Sequence, residues 1–199
     1  MYKNEYGLSL VEKDLSIFSA GTGDRGGTDG IYEELPTLLK LIETDCDAQG
    51  AKLFRVVALL DNDRAGKFLL QVLLKQYRTL KQNRDIYLLN RIFPRNSSEP
   101  TIVDRQINSE NAKWNNLDCE IEDLLGGSLL DAFQDDSSNA PRIPPVEVEG
   151  FRHYEWSDAA KSRLIRFAEE NAMLEDVIGI VELLKSIRHY LGLPQDGVS

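Results

Sequence analysis

One run in this chain of 199 residues admits few folds. LFRVVALL, residues 53–60, is apolar almost without interruption. A short run of this kind is the signature of a strand covered on both faces. It ends abruptly in DNDRAG (61–66), where carboxylates and a glycine replace the apolar side chains. KFLLQVLLKQYRTL (67–80) then sets Leu69, Leu70, Leu73, Leu74 and Tyr77 at helical spacing, and RDIYLLNRI (84–92) reads as the next strand. Upstream, LSIFSAG (15–21) predicts a short strand and GTGDRGGTDG (21–30) a loop. IYEELPTLLKLIE (31–43) predicts a helix with Ile31, Leu35, Leu38, Leu39 and Ile42 on one face. Pro36 falls early in it, where a first turn tolerates proline. Strand, helix, strand, helix, strand implies right-handed crossovers and a parallel sheet.

Beyond the loop PRNSSEP (94–100), NLDCEIEDLLGGSLLDAF (116–133) starts acidic and turns apolar, which predicts a short helix. QDDSSNAPRIPPVEVEG (134–150) has the Pro, Ser and Asp content of a linker or long surface loop. Two amphipathic helices follow. Ser157 is placed to cap the first. Leu174, Val177, Ile178, Val181, Leu184 and Ile187 form the stripe of the second. The expected organisation is an α/β domain over 1–135, a linker or loop over 136–150 and a helical segment over 151–199. The sheet is expected to be mainly parallel with flanking helices, and the end of the chain an α-helical hairpin. Its helices either pack on the sheet domain or mediate contacts in a homo-oligomer.

Composition narrows the function. The net charge is −10, which excludes a uniformly basic nucleic-acid binder but not a local basic patch or a metal site that bridges to phosphate. Two cysteines, Cys46 and Cys119, make neither a disulfide framework nor a CxxC zinc motif. They are expected to be reduced. No signal-peptide core and no apolar run of ~20 residues is present, so the expectation is a soluble cytoplasmic protein with no membrane partner. His153 and His189 lie far apart and are read as structural or exposed.

The two aspartates of DNDRAG carry the functional reading. Ligands of parallel α/β sheets gather at the carboxyl ends of the strands. Residues i and i+2 of an extended segment point the same way, so Asp61 and Asp63 can converge on one hard cation while Asn62 faces away. Mg²⁺ suits such oxygen ligands. Gly66 permits the turn into the helix, and Arg64 and Lys67 stand where a phosphate would approach. The competing reading is structural, because Asp and Asn favour turns and helix caps.

VVALLDNDRAGK (56–67) resembles the second motif of the Toprim domain, shared by topoisomerases, bacterial primases and the overcoming-lysogenization-defect (OLD) nucleases. About residues 15 to 125 are similar in layout to the OLD-type Toprim region, which often carries a Gly-rich strand–loop–helix before its Asp-x-Asp strand, here SIFSAGTGDRGG. The resemblance implies a Toprim-like, Rossmann-like sheet and Mg²⁺ or Mn²⁺ at Asp61 and Asp63. It also implies cleavage of phosphodiester bonds in DNA, a setting in bacterial antiphage defence, and an ATPase or other partner subunit. CEIEDLL (119–125) matches the late acidic cluster of that family. It adds Glu120, Glu122 and Asp123 as metal ligands, with Glu122 the preferred third catalytic carboxylate beside Asp61 and Asp63. An acidic first helical turn is the alternative there. Arg91 and Arg95, with Arg64 and Lys67, are the expected nucleic-acid contacts; Arg105 lies near them in sequence.

The match departs from the family at its first motif. Toprim enzymes begin with a Glu at the end of the first strand. In FSAG (18–21) Ala20 takes that place. Glu12 in LVEKD follows an apolar pair, but no helix separates it from the next strand. The third option is a strand upstream of this sequence, with LSIFSAG as the second. Two-metal phosphoryl transfer holds ions about 4 Å apart with several carboxylates, so the missing Glu is expected to impair turnover more than binding. Two readings therefore stand, a metal-dependent nuclease and a silent or incomplete Toprim subunit. A haloacid-dehalogenase-like phosphatase, with Asp61 as nucleophile and Asp63 as acid/base, is a weaker third. The Gly-rich loop lacks the GxxxxGK[ST] pattern of a nucleotide phosphate loop.

Overall fold

The computed structural model describes residues 1–20, 27–50, 52–135 and 137–198. Along them run α1 (Tyr2–Tyr6), α2 (Gly27–Thr44), β1 (Ala58–Leu60), α3 (Arg64–Gln76), β2 (Ile86–Leu88), α4 (Pro100–Glu110), α5 (Gly127–Gln134), β3 (Val146–Val148), β4 (Phe151–His153), α6 (Asp158–Asn171) and α7 (Ile178–Leu191). Short 3-10 turns lie at Ala112–Trp114, Ile121–Leu124, Ser137–Asn139 and Leu174–Val177. The class is α/β, as expected. Among the described residues no helix is long and apolar enough to cross a membrane.

β1 and β2 pair in parallel, Ala58 beside Ile86 and Leu60 beside Leu88, with α3 crossing between them. Alternate residues of this pair feed two cores, which is why both strands read as continuously apolar. On one face Ala58, Leu60 and Ile86 meet Leu35 of α2 and Leu69, Leu70 and Leu73 of α3. On the other, Tyr87 and Leu89 meet Val103 and Ile107 of α4 and Leu183, Ile187 and Tyr190 of α7. A third cluster joins Leu130 and Phe133 of α5 to Tyr154, Trp156 and the α6 residues Ala160 and Leu164.

Several expectations are corrected. The strand over 15–21 does not form: residues 15–20 are irregular, with Ile17 and Phe18 exposed, and residue 21 lies outside the described residues. Of the loop over 21–30, residues 21–26 also lie outside them, while 27–30 are the first turn of α2. That earlier start puts Pro36 in the helix interior rather than its first turn. The run 53–60 is strand only over Ala58–Leu60, the span that β2 pairs. The sheet is thus one parallel pair, accompanied by the separate antiparallel pair β3–β4, rather than a larger parallel sheet.

The stretch read as a linker contains the Ser137–Asn139 turn and β3. Its two-residue turn places Glu149 and Gly150 at φ 47° and 81°, the left-handed conformation at both positions that favours a tight hairpin. The two last helices do not make a hairpin core of their own, since α6 belongs to the third cluster and α7 to the first. Residues 174–177 are a 3-10 turn and Ile178 is exposed, so the stripe of α7 shifts to Val181, Leu183, Ile187 and Tyr190. Ser157 does cap α6, accepting from Ala160 N at 3.2 Å.

One buried charge ties the ends of the chain together. Arg188 of α7 is fully buried. It donates to both Asp14 oxygens at 2.8 and 2.7 Å, to the Leu10 carbonyl, and to the Pro194 carbonyl. Ser9 and Val198 bridge beside it.

Candidate metal centre

Of the two roles that sequence left open, the structure shows the helix cap, at Asp63. Asp63 is the N-cap of α3, its Oδ1 accepting from Gly66 N at 2.7 Å. Asp61 directly follows β1, at the strand's carboxyl end. Gly66 matters here for space: a Cβ at that position would meet the Asp61 carbonyl oxygen at 1.9 Å. Asn62 Nδ2 donates to Asn90 Oδ1 at 3.3 Å.

The acidic segment comes to Asp61 through the backbone. Asn62 and Cys119 exchange hydrogen bonds, Asn62 N to Cys119 O at 2.9 Å and Cys119 N to Asn62 O at 3.3 Å. Two cations brace the approach. Lys67 pairs with Asp118 at 3.0 Å, and Arg91 donates to the carbonyls of Leu117 and Asp118 at 3.4 and 2.7 Å. Two of the expected nucleic-acid contacts therefore hold the strap that delivers Glu120 and Glu122. Arg95 pairs with Glu182 on α7 at 2.7 Å. Arg64 is exposed on the first turn of α3, and Arg105 is exposed on α4.

Glu120, Glu122 and Asp123 have different fates. Asp123 is structural. Its Oδ2 accepts from Glu120 N and meets His153 Nδ1, each at 2.8 Å, and its Oδ1 accepts from Tyr154 N at 3.2 Å. With its oxygens turned to these partners it fastens the Ile121–Leu124 turn to the hairpin, and the Asp123 carboxylate raises the proton affinity of His153. Glu120 and Glu122 face Lys161, whose Nζ lies 2.8 Å from Glu120 Oε2 and 3.6 Å from Glu122 Oε1. Glu122 is 9% exposed, and its Oε2 is buried without a hydrogen-bond partner.

These groups share one field. Asp61 is exposed, yet the protein packed around it, then Glu122 and Glu120, push its carboxyl up to about 6. Burial likewise raises Glu122, with Lys161 opposing. Lys161 is itself shifted up, burial working against the pull of Glu120, Glu122 and Asp61. Below them the Cys119 thiol is buried and pushed up to about 12, first by desolvation. Cys46 is exposed, and both cysteines are free.

The donor set suits a hard divalent ion. Asp61, Glu120 and Glu122 offer carboxylate oxygens only, and the orphaned Glu122 Oε2 is an acceptor with no donor to satisfy it. Among the described residues no three His, Cys, Asp or Glu side chains stand close enough to enclose an ion between them. The arrangement therefore fits Mg²⁺ or Mn²⁺ held by one or two carboxylates with most of its waters retained, rather than an all-protein cage. Lys161 escaped sequence reading because it comes from α6, some forty residues downstream. The available signal was VEVEGFRH, whose Glu-Gly turn marks the hairpin that returns the chain to the acidic segment. Comparison with protein-family models, with curated proteins and with solved structures finds no match.

Proposed function

We propose that this chain is a Toprim-type module that uses Mg²⁺ or Mn²⁺ to hydrolyse phosphodiester bonds in DNA, of the kind found in OLD nucleases. On this reading it works in the cytoplasm, in antiphage defence and beside an ATPase or other subunit. One observation carries the reading. The Asn62–Cys119 exchange brings the acidic segment to the carboxyl end of a parallel strand, near enough for Glu122 and Glu120 to raise the Asp61 carboxyl, at the end where α/β sheets bind ligands. Crowded carboxylates that raise one another's proton affinity are disposed to accept a divalent ion instead.

When bound, such an ion supplies Lewis acidity and a nucleophilic water. The chain's own residues hold and aim it. Asp61 and Glu122 contribute oxygens, Asp63 fixes the turn as the α3 cap, and Lys67 and Arg91 brace the acidic strap. Arg64 remains the best placed of the expected phosphate contacts.

A second reading, a silent or incomplete Toprim subunit, is favoured by residues 15–20. They form no strand and carry Ala20 where the family has its first Glu. The deciding test incubates supercoiled and linear DNA with Mg²⁺ or Mn²⁺, comparing wild type with Asp61→Asn and Glu122→Gln. Metal-dependent cutting that falls at least a hundredfold (~3 kcal/mol) in either variant supports the nuclease. Metal binding without cutting supports the silent subunit. Absence of both rejects the metal centre.

A further inference from the structure

Lys161 occupies the space that a cation would want. It reaches from the first turn of α6 to lie 2.8 Å from Glu120 and 3.6 Å from Glu122, and Asp61 feels its charge. One ammonium cannot balance two carboxylates, and Glu122 Oε2 stays buried without a donor. We propose that Lys161 is a built-in counter-cation, holding Glu120 and Glu122 beside one another in the metal-free protein and vacating them when a divalent ion binds. This rests on the metal-centre reading above and adds its regulation.

Three features support displacement rather than co-residence. The Glu120 oxygen bonded to Lys161 is one that an incoming ion would compete for. A lysine and a divalent ion within a few ångströms repel. The lysine side chain is a point charge on a flexible stem, and 26% of it is already exposed, so its route to water is short. Metal affinity would then be set partly by the lysine that has to leave, which raises the free-ion concentration at which the site fills. It would also couple occupancy to the first turn of α6, far from the turn in sequence.

The test uses Mn²⁺ as the probe and the full chain. Mn²⁺ binding is followed by the loss of the free-ion paramagnetic signal, in wild type, Lys161→Gln and Asp61→Asn. Displacement predicts that Lys161→Gln binds on the order of tenfold more tightly, because a competing like charge is gone. It also predicts a lower unfolding midpoint for that variant without metal. Equal or weaker binding than wild type overturns the proposal while leaving the metal centre standing. No Mn²⁺ binding by wild type or Lys161→Gln overturns both. Because Lys161→Gln can fail to fold, a second measurement uses wild type alone. Acetylation of each lysine is read by mass spectrometry with and without Mn²⁺. Faster modification of Lys161 with metal, against a constant background at Lys3 and Lys40, is the expected result; an unchanged or slower rate overturns displacement.

Discussion

At the scale of single residues, Asp63 shows how one side chain can serve two arguments. Its Oδ1 is committed to the Gly66 amide, a cap that contributes about 1 kcal/mol to helix stability. Serine also caps, but carries no charge. Asp63→Ser should therefore keep the unfolding midpoint within a degree or two of wild type, whereas Asp63→Ala should lower stability by about 1 kcal/mol. If Asp63 also serves the cation, both variants should lose Mn²⁺ affinity equally. Thermal melts and metal titration on the two variants separate cap from ligand; affinity retained in Asp63→Ser would leave Asp63 a cap alone. Glu122 and Asp123 teach the complementary lesson. Adjacent in sequence and alike in charge, one has an orphaned oxygen and the other has none.

At the scale of elements, the turn from β1 into α3 is held by a close approach. The missing Cβ of Gly66 lets the first turn of α3 sit against the Asp61 carbonyl. Gly66→Ala should force these apart, destabilise by about 1–3 kcal/mol, and misdirect Asp61, so that Mn²⁺ affinity falls with stability. Chemical denaturation and metal titration of the variant check both; an unaffected midpoint would mean that the turn relaxes freely. This turn was legible in sequence because its signals are local: an apolar run, Asp-Asn-Asp, a glycine and a helical stripe. The cap at Ser157 was legible for the same reason. The strand over LSIFSAG was not, because its β-rich composition says nothing about a partner, and among the described residues β1 pairs with β2 alone. The acidic cluster could be named, yet which carboxylate fastens the hairpin and which face Lys161 depends on His153, Tyr154 and Lys161. No spacing rule connects residues thirty to forty positions apart. Lys67 and Arg91 looked like phosphate contacts because charge shows in sequence and the carbonyls it serves do not.

At the scale of the whole molecule, Arg188 joins the two ends of the chain. Asp14 supplies its only carboxylate contact among the described residues, and the Arg188 hydrogen bond holds the Asp14 carboxyl below its ordinary value. A depressed carboxyl stabilises the fold above its unfolded value, about pH 4, and the contribution disappears as pH falls through the lower folded value. Asp14→Asn should cost about 2 kcal/mol at pH 7, less than a fully buried pair because Asp14 stays open to water. That difference from wild type should shrink as pH drops below 4. Paired melts from pH 3 to 7 read it; a pH-independent difference would show that the contact is not electrostatic. The same long reach has a consequence for how the protein is made. The ribosome delivers Asp61, Glu120 and Glu122 before Lys161, and the sheet residues Tyr87 and Leu89 well before the α7 side chains that cover them. The nascent chain thus emerges with its acids unbalanced and one face of its sheet bare. That face can close only after α7 has cleared the exit tunnel, so a helix about a hundred residues downstream decides whether the sheet settles.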